Sequence, residues 1–573
     1  MGGKGKNVYG ALRILRICVA LLIFCLISAQ FMDIYHRLPE IYYTLHPTET
    51  QFATAFLNIM ATGAVLSGVA FVTFLIITLL FGRAYCSFFC PLGIMMDILR
   101  RAAKFPANNR FLKKTRLGDF CKKRFVKLEY AKPRNFLRAV FTGLAILSII
   151  FGYTALFGLI EPYSLYGKIM AATVHLGLAE AANSISVTLA QHGIYSVHPV
   201  NGDVSVALAA FGFSIFALVC ITVASALRGR LYCNTVCPVG GFLGALAKFS
   251  IFQLTLNSQS CISCGKCARV CKAQCIDSKN KNMDFSRCVL CFNCIGHCPK
   301  SSLSFSVNKI YKGKKSAAEK PKNNADITRR DFVKSGSVFA SLLCAGSTSG
   351  TSENSQEFPV LPNASPFPAR GHRPDKRLAV PPGAVSVENF LTKCTACQIC
   401  VATCPSRLLK PSITEWGLSG FMQPYMDFLS GFCVHECNVC SKVCPTGAIQ
   451  AIPTEEKLTK RIGVAVFIKN LCIVETDGTD CAACAEHCPV SAIEMIPHKP
   501  EKSLYLPHVH SNVCIGCGAC EHICPIAKNK AIVVQGLAVH ETATPFDAKM
   551  RLFVPQETKP TEAPKPLDNP FPF

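Results

Sequence analysis

One tryptophan stands in 573 residues, and acidic side chains are scarce, with 35 Asp and Glu against 60 Lys and Arg for a net charge of +25. There is no C-x-x-C-H for covalent haem, no G-x-G-x-x-G opening a strand-helix unit and no G-x-x-x-x-G-K-[ST]. Nicotinamide chemistry and nucleotide hydrolysis are therefore disfavoured. The acidic deficit is confined to one half of the chain. Thr351 to Phe573 carries 20 basic and 21 acidic residues, whereas Met1 to Gly350 carries 40 and 14. What is plentiful is apolar residue, at 50%, and cysteine, at 34. A chain this long exceeds a single core and divides into several domains.

Four apolar stretches are long enough to cross a bilayer, Leu12 to Phe31, Phe56 to Phe81, Phe136 to Ile160 and Val204 to Leu227. Buried core helices are the plainer reading of any one of them, but four with basic flanks point to membrane. Between Arg100 and Arg138 lie fourteen Lys or Arg against Asp119 and Glu129, while Glu161 to Asp203 holds only Lys168. The basic loop marks the cytoplasmic side. Both ends of the unit are then cytoplasmic, and the charge is a topology signal, with nucleic acid a poor second explanation. The second and fourth stretches end in matching text, Gly82-Arg83-Ala84-Tyr85-Cys86-x-x-x-Cys90-Pro91 and Gly229-Arg230-Leu231-Tyr232-Cys233-x-x-x-Cys237-Pro238. Two helix-pair repeats forming one four-helix transmembrane bundle are expected.

The remaining cysteines fall in runs. Cys261, Cys264, Cys267, Cys271 and Cys288, Cys291, Cys294, Cys298 have the C-x-x-C-x-x-C-x-x-x-C spacing of a two-cluster bacterial ferredoxin. In that pattern three cysteines of a run bind one 4Fe-4S cluster and the fourth crosses to the other. Zinc needs only two pairs and would not require two complete runs. Lys272 replaces the proline expected after Cys271 and an extra Cys275 follows, so Cys271 is the favoured ligand with Cys275 as its rival. Further on, Cys394, Cys397, Cys400, Cys404 and Cys514, Cys517, Cys520, Cys524 are regular, and between them lie two irregular runs, Cys433, Cys437, Cys440, Cys444 and Cys472, Cys481, Cys484, Cys488. Regular runs bracketing irregular ones suggest a nested unit, first paired with fourth and second with third. Adjacent pairing is the alternative. Both modules are expected to be α+β and ferredoxin-like, holding six 4Fe-4S clusters in all.

Cys86, Cys90, Cys233 and Cys237 are brought together by the repeat and are assigned a ligand or redox role, as a further cluster, a metal or a dithiol, against simple packing of buried thiols. Cys18, Cys25, Cys121, Cys220 and Cys344 have no partner at ligand spacing and receive no role. With no other two-electron chemistry in the chain, a membrane quinol is the natural donor. Its oxidation needs proton acceptors, and the outward loops offer His36, His46, His175, His192 and His198 with Asp33, Glu161 and Glu180. Glu161, His175, His192 and His198 are the candidate catalytic residues, each of them more commonly an ordinary surface group. Glu161 stands out as an ionisable residue near lipid depth.

Between the modules, a Lys-rich linker from Lys309 to Asp326 leads to Thr328-Arg329-Arg330-Asp331-Phe332-Val333-Lys334 and a short apolar run, Val338 to Ala345. This reads as an internal twin-arginine export signal. Six prolines between Pro555 and Phe573 mark a disordered or partner-wrapping tail. The expected division is therefore 1–250 membrane domain, 251–308 cytoplasmic two-cluster module, 309–390 linker and signal, 391–540 four-cluster module, 541–573 tail.

In its four spans, twin C-x-x-x-C-P motifs and two-cluster module, the first 310 residues resemble the NapH family of membrane quinol dehydrogenases. The rest resembles the twin-arginine-exported NapG ferredoxins, and MauN and MauM form a similar pair. The resemblance implies a single-chain fusion in the bacterial cytoplasmic membrane, its second module periplasmic. Such a protein would oxidise quinol or menaquinol and pass electrons to a periplasmic reductase or cytochrome. Electron supply for metal or cofactor maturation, reverse flow to quinone, and membership of a larger complex are the competing functions.

Overall fold

The computed structural model describes residues 2–39, 47–109, 128–195, 208–308, 377–499, 503–527 and 529–552, with isolated positions between them. The twin-arginine text, the apolar run after it, most of the linker, the proline-rich tail, His46, His198, Cys121 and Cys344 lie outside the described residues.

The N-terminal half is helical. Its main helices are α1 (Gly2–Met32), α2 (Phe52–Thr62), α3 (Val65–Phe81), α4 (Pro91–Asn108), α5 (Asn135–Ile150), α6 (Thr154–Ile160) and α7 (Pro162–Ile169). A π-turn (Met170–His175) then leads into α8 (Leu176–Gln191), and α9 (Leu208–Arg228) and α10 (Pro238–Leu246) follow. Among the described residues, two segments are long and apolar enough to cross a membrane, Tyr9–Met32 and Ala210–Arg228. The other two expected spans are each broken. Gly63 (φ 68°) closes α2 in the left-handed region and turns the chain into α3, so Phe56 to Thr62 belongs to a separate helix. Gly152 (φ 74°) likewise separates α5 from α6. What read as two spans of about twenty-five residues are shorter helices, α3 and α5, with α2 and α6 folded back beside them. The contacts between Phe52 and Phe71, 5.0 Å between ring centroids, and between Asn58 Nδ2 and Ser67 Oγ at 2.9 Å hold α2 along α3.

Four of these helices run alternately between the two ferredoxin-like modules. Tyr9 near the start of α1 stacks on Phe305 of the first module. A methyl group on Gly447 of the second module would strike Ala61 and Thr62, just before α3, whereas Leu79 near the end of α3 accepts a 2.8 Å bond from Ile251 of the first. Arg138 near the start of α5 reaches Ser286 Oγ, and Gly152 just beyond its end abuts Thr392. Phe213 near the start of α9 packs on Phe421, and Gly229 past its end abuts the Lys272 carbonyl. The two modules thus occupy opposite ends of one helical unit. The helices also invert the usual pattern. Val65, Val69, Val72 and Ile76 of α3 point outward and exposed, while Ser67 and Thr78 are buried. Small polar residues at helix contacts with apolar residues outside suit a lipid surrounding.

The first module closes on an antiparallel pair, Phe252–Leu256 with Leu303–Val307. The second is built on three antiparallel pairs, Lys460–Phe467 with Ile532–Thr542, Ile493–Lys499 with Leu504–Val509, and Leu409–Pro411 with Pro424–Met426. It begins earlier than position 391. Leu378, Ala379 and Val380 are buried, and Gly536 donates to the Arg377 carbonyl at 2.8 Å, so 377–390 belong to the module and not to the linker.

Candidate metal centres and the thiol layer between them

Each regular cysteine run wraps its backbone in the same way. The residue before the second cysteine is left-handed in all four, at Ser263, Leu290, Ala396 and Gly516, and so is the residue after it, at Gly265, Phe292, Gln398 and Gly518. Left-handed residues cost energy outside glycine, and Phe or Gln would not adopt them without compensation. The compensation is a concave loop whose amides turn inward, the kind of nest that holds anionic groups and iron-sulfur clusters. Beyond the runs, the third residue after the last cysteine is also left-handed at Gln274, Ser301, Arg407, Gly447 and Ser491. Amides cap several sulfurs directly: Ser302 on Cys298 at 3.2 Å, Ala492 on Cys488 at 3.2 Å and Ile449 on Cys444 at 3.4 Å. Gln274 follows Cys271 as Ser301 follows Cys298, which favours Cys271 over Cys275 as the fourth ligand. The Cys275 thiol lies 3.6 Å from Cys271 Sγ. Among the described residues no three Cys, His, Asp or Glu side chains converge as a single ion requires. Four thiols spread around an amide-lined bowl fit a larger 4Fe-4S cluster.

The proximity of the thiols shows which runs lie together. In the first module Cys267 neighbours Cys261, Cys264 and Cys298, and Cys294 neighbours Cys288, Cys291 and Cys271, the expected exchange. In the second the nested arrangement is overturned. Cys394, Cys397 and Cys400 all face Cys444, and Cys433, Cys437 and Cys440 face Cys404. Cys472 and Cys484 face Cys524, and Cys514, Cys517 and Cys520 face Cys488. Pairing is therefore adjacent, first with second and third with fourth. The short links between neighbouring runs let each fourth cysteine cross without threading the chain. The two pairs join where the Cys433 backbone amide donates to the Cys517 carbonyl at 2.8 Å.

The duplicated C-x-x-x-C-P text builds a two-fold layer inside the helical unit. Cys90 and Cys237 cap α4 and α10, accepting from the Gly93 and Gly240 amides at 3.4 and 3.3 Å, with Pro91 and Pro238 at the first helical position. Thiols so placed sit at the positive ends of helix dipoles. The arginines cross over: Arg83 reaches the Cys233 carbonyl at 3.0 Å, and Arg230 reaches that of Cys86 at 2.6 Å. Both are fully buried. Gly93 and Gly240 are required by this crossing, because a Cβ there would lie 2.4 and 2.9 Å from the opposing guanidinium nitrogens. All four thiols are buried and within electrostatic reach of one another. The arginines and glycines were visible as duplicated letters, but their exchange between repeats was not.

On one side this layer meets the first module. The Arg230 amide donates to the Lys272 carbonyl at 2.9 Å, Asn234 Nδ2 to that of Ala273 at 3.1 Å, and Arg83 to that of Ser286 at 3.2 Å. Asp97 gathers Lys272 Nζ at 2.8 Å, Arg230 Nη2 at 2.9 Å and Arg16 at 3.7 Å. Lys272, the departure from the ferredoxin pattern, is thus the residue that docks its module. Burial opposes ionisation of Asp97, but Arg230 and Lys272 hold its carboxyl well below the usual range.

On the other side lie Tyr85, bonded to Gln51 at 3.0 Å, and Tyr232, bonded to the Ile160 carbonyl at 2.6 Å. Beyond them Glu161 caps α7 and is buried inside protein, not at a lipid surface. Lys168, also fully buried, donates to the Gly158 and Thr395 carbonyls at 2.8 and 3.4 Å. A Cβ on Gly158 or Gly167 would overlap the carbonyls of Thr395 and Cys397, so the first cluster loop of the second module seats directly between α6 and α7. His175 joins this region, with Nδ1 3.0 Å from the Phe31 carbonyl. His192 stands exposed at the end of α8, away from the seat. Cys18, Cys25 and Cys220 are exposed on helix faces.

A family described as a 4Fe-4S binding domain matches residues 64–114 and 209–254, the two stretches that carry the C-x-x-x-C-P pairs. A family described as a 4Fe-4S dicluster domain matches 393–448 and 479–528, the first of which contains two adjacent runs as one unit. The ferredoxin-type protein MauM of Paracoccus denitrificans is 31% identical over 204 residues, 35% of this chain and 83% of that one. The ferredoxin-type protein NapG of Escherichia coli is 33% identical over 168 residues, 28% and 71% respectively. YccM of Escherichia coli, named for electron transport, is 26% identical over 259 residues, 43% of this chain and 57% of that protein. No solved structure matches. The chain belongs to the ferredoxin-type NapG and MauM family. It is an iron-sulfur electron-transfer protein.

Proposed function

We propose that this chain is a quinol dehydrogenase of the membrane, a fusion of a NapH-like anchor with a NapG-like ferredoxin. α1, α3, α5 and α9 would cross the bilayer, with the first module cytoplasmic and the second periplasmic. The observation that carries this reading is the position of the modules at opposite ends of the same four alternating helices, with the thiol layer between them. The outward apolar faces and the basic loop between Arg100 and Arg138 support it.

Six sets of four cysteines would hold six 4Fe-4S clusters, which when bound supply one-electron carriers. Cys86, Cys90, Cys233 and Cys237 would form a further redox site within the unit. The chain's own part is to hold these groups in series. Lys272 and Asp97 lock the first module to the thiol layer. Gly158 and Gly167 let the loop of Cys394 and Cys397 approach it from the other face, and the Cys433–Cys517 contact continues the line outward. A periplasmic reductase or cytochrome would receive the electrons.

The test is anaerobic. The protein purified in detergent is assayed for iron and sulfide, then mixed with a reduced menaquinol analogue while cluster absorbance and EPR are followed. About 24 iron per chain with bleaching by quinol is expected. Full clusters that quinol leaves oxidised would sink the proposed direction. Cys86→Ser with Cys233→Ser should stop bleaching of the first module's clusters; complete bleaching together with an unmetallated partner enzyme would favour maturation instead.

A further inference from the structure

A cleft of about 70 Å3 opens where the second module meets the helices, lined by Lys168, His175, Ser214, Gln398, Arg407 and Met422 among others. It touches the cluster loop itself, since Gln398 lies between Cys397 and Cys400. Most of its polar groups are already engaged. Lys168 donates to Gly158 and Thr395, Gln398 to the Met422 carbonyl, and Ser214 to the Ala210 carbonyl at 2.9 Å. His175 differs. A carbonyl can only accept, so the 3.0 Å contact with Phe31 requires Nδ1 to carry the proton and donate it. Nε2 is then left with its lone pair. The ring is presented by the π-turn Met170–His175, a local widening of the helix that recurs at functional sites.

We propose that this cleft takes the oxygen-bearing edge of a quinol ring and that His175 Nε2 accepts its hydroxyl proton. The inference rests on the quinol reading above. A ring the size of benzene fills an apolar cavity of about 150 Å3, so the cleft admits the reacting edge while the rest of the ring and its tail stay at the mouth. Oxidation breaks two O–H bonds and leaves a quinone. Each proton in turn would pass to Nε2, and Cys394, Cys397, Cys400 and Cys444 would hold the cluster that supplies a one-electron acceptor beside the cleft. The terminal oxidant is the one-electron acceptor protein that docks on the second module. Asp33 and His36, which follow α1, and Arg407 of the second module all face His175, and Arg407 in turn faces Glu180 of α8. Lys168 lines the same cleft. The Asp33 carboxylate accepts from the Arg37 and Leu38 amides, both at 2.9 Å, and so stays fixed as the next proton acceptor toward solvent.

The test uses the holoprotein in lipid nanodiscs with a photoreactive azidoquinone, followed by peptide mapping of the label. Label in 168–176 and 398–411 is expected. His175→Gln should keep its full iron content, slow quinol-driven bleaching by roughly a hundredfold or more, and abolish the fall in rate toward acid pH that protonation of Nε2 imposes on the native protein. Unchanged rate and pH profile in that variant would overturn the role of His175. A second cavity, of about 690 Å3 and lined by Tyr9, Phe88, Phe89, Leu290, Phe292 and Phe305, lies against the other module. Label there, with bleaching intact, would overturn the cleft and leave the quinol reading standing. No label and no bleaching would overturn the quinol reading itself.

Discussion

Replacing Asp97 by Asn removes one negative charge from among three cations while keeping its shape. At 2.8 Å and an effective dielectric of about 20, the attraction between Asp97 and Lys272 alone is about 6 kcal/mol before desolvation is counted. Burial offsets much of this, yet deleting one member of a buried pair still costs about 3–5 kcal/mol, because the partner is left charged and unpaired. Here Arg230 is fully buried and Arg16 nearly so, and neither has water to turn to. The loss should fall on the junction that Lys272 makes, where the Arg230 amide is bonded to the Lys272 carbonyl. Hydrogen exchange of amides in 229–234 and 271–274, read by mass spectrometry on the intact detergent-purified protein, should accelerate by roughly a hundredfold to several thousandfold. Because the Asp97 carboxyl is depressed well below its unfolded range, the native contribution is fully present above about pH 5 and is lost only as acid reaches the folded value. The difference between native and variant should therefore be flat from pH 6 to 8. Unchanged protection in Asp97→Asn, or a difference that varies across that window, would refute the reasoning.

The ligand assignment predicts iron counts. Cys397→Ser with Cys444→Ser should lose about four iron, as one shared cluster, and Cys397→Ser with Cys437→Ser about eight; nested pairing would make the first of these lose about eight as well. Gly167→Leu should detach the second module from the helices, since even a Cβ there overlaps the Cys397 carbonyl. Cross-linking between 152–168 and 392–397 should disappear while total iron stays constant. His540 is buried on Ile532–Thr542, and burial lowers its imidazole from 6.5 to about 4. The unfolded chain therefore binds the extra proton between those values, and stability of the second module should fall as pH drops from about 6.5 to 4, by up to roughly 3 kcal/mol. Thermal loss of cluster absorbance should show this slope, and His540→Leu should flatten it.

Much of the chemistry was legible because cysteine spacing acts locally. A loop of C-x-x-C-x-x-C closes on itself within seven residues, and the structure shows the left-handed backbone that this needs at Ser263, Leu290, Ala396 and Gly516. The duplicated GRxYCxxxCP text likewise predicted that four thiols would meet. The spans were read less well. Hydropathy summed Phe56 to Phe81 as one segment because Gly63 interrupts it without changing its apolar average, and only the backbone reversal at φ 68° shows that α2 turns back. Pairing in the second module was misjudged because runs of like spacing were matched with one another, whereas what decides the crossing is which loops pack side by side.

The sequence by itself determined what depends on near neighbours: six four-cysteine runs, an apolar first half with a basic excess, and an internal repeat. The tertiary structure alone decided what depends on residues far apart in the chain. It exchanged Arg83 and Arg230 between repeats, turned the anomalous Lys272 into a docking contact with Asp97, seated the Cys394 loop against Gly158 and Gly167, and gathered His175, Lys168 and Gln398 around one cleft. None of these contacts is written in a periodicity or a spacing. Each arises because buried charge and close backbone approach are tolerated only where a partner from another element meets them.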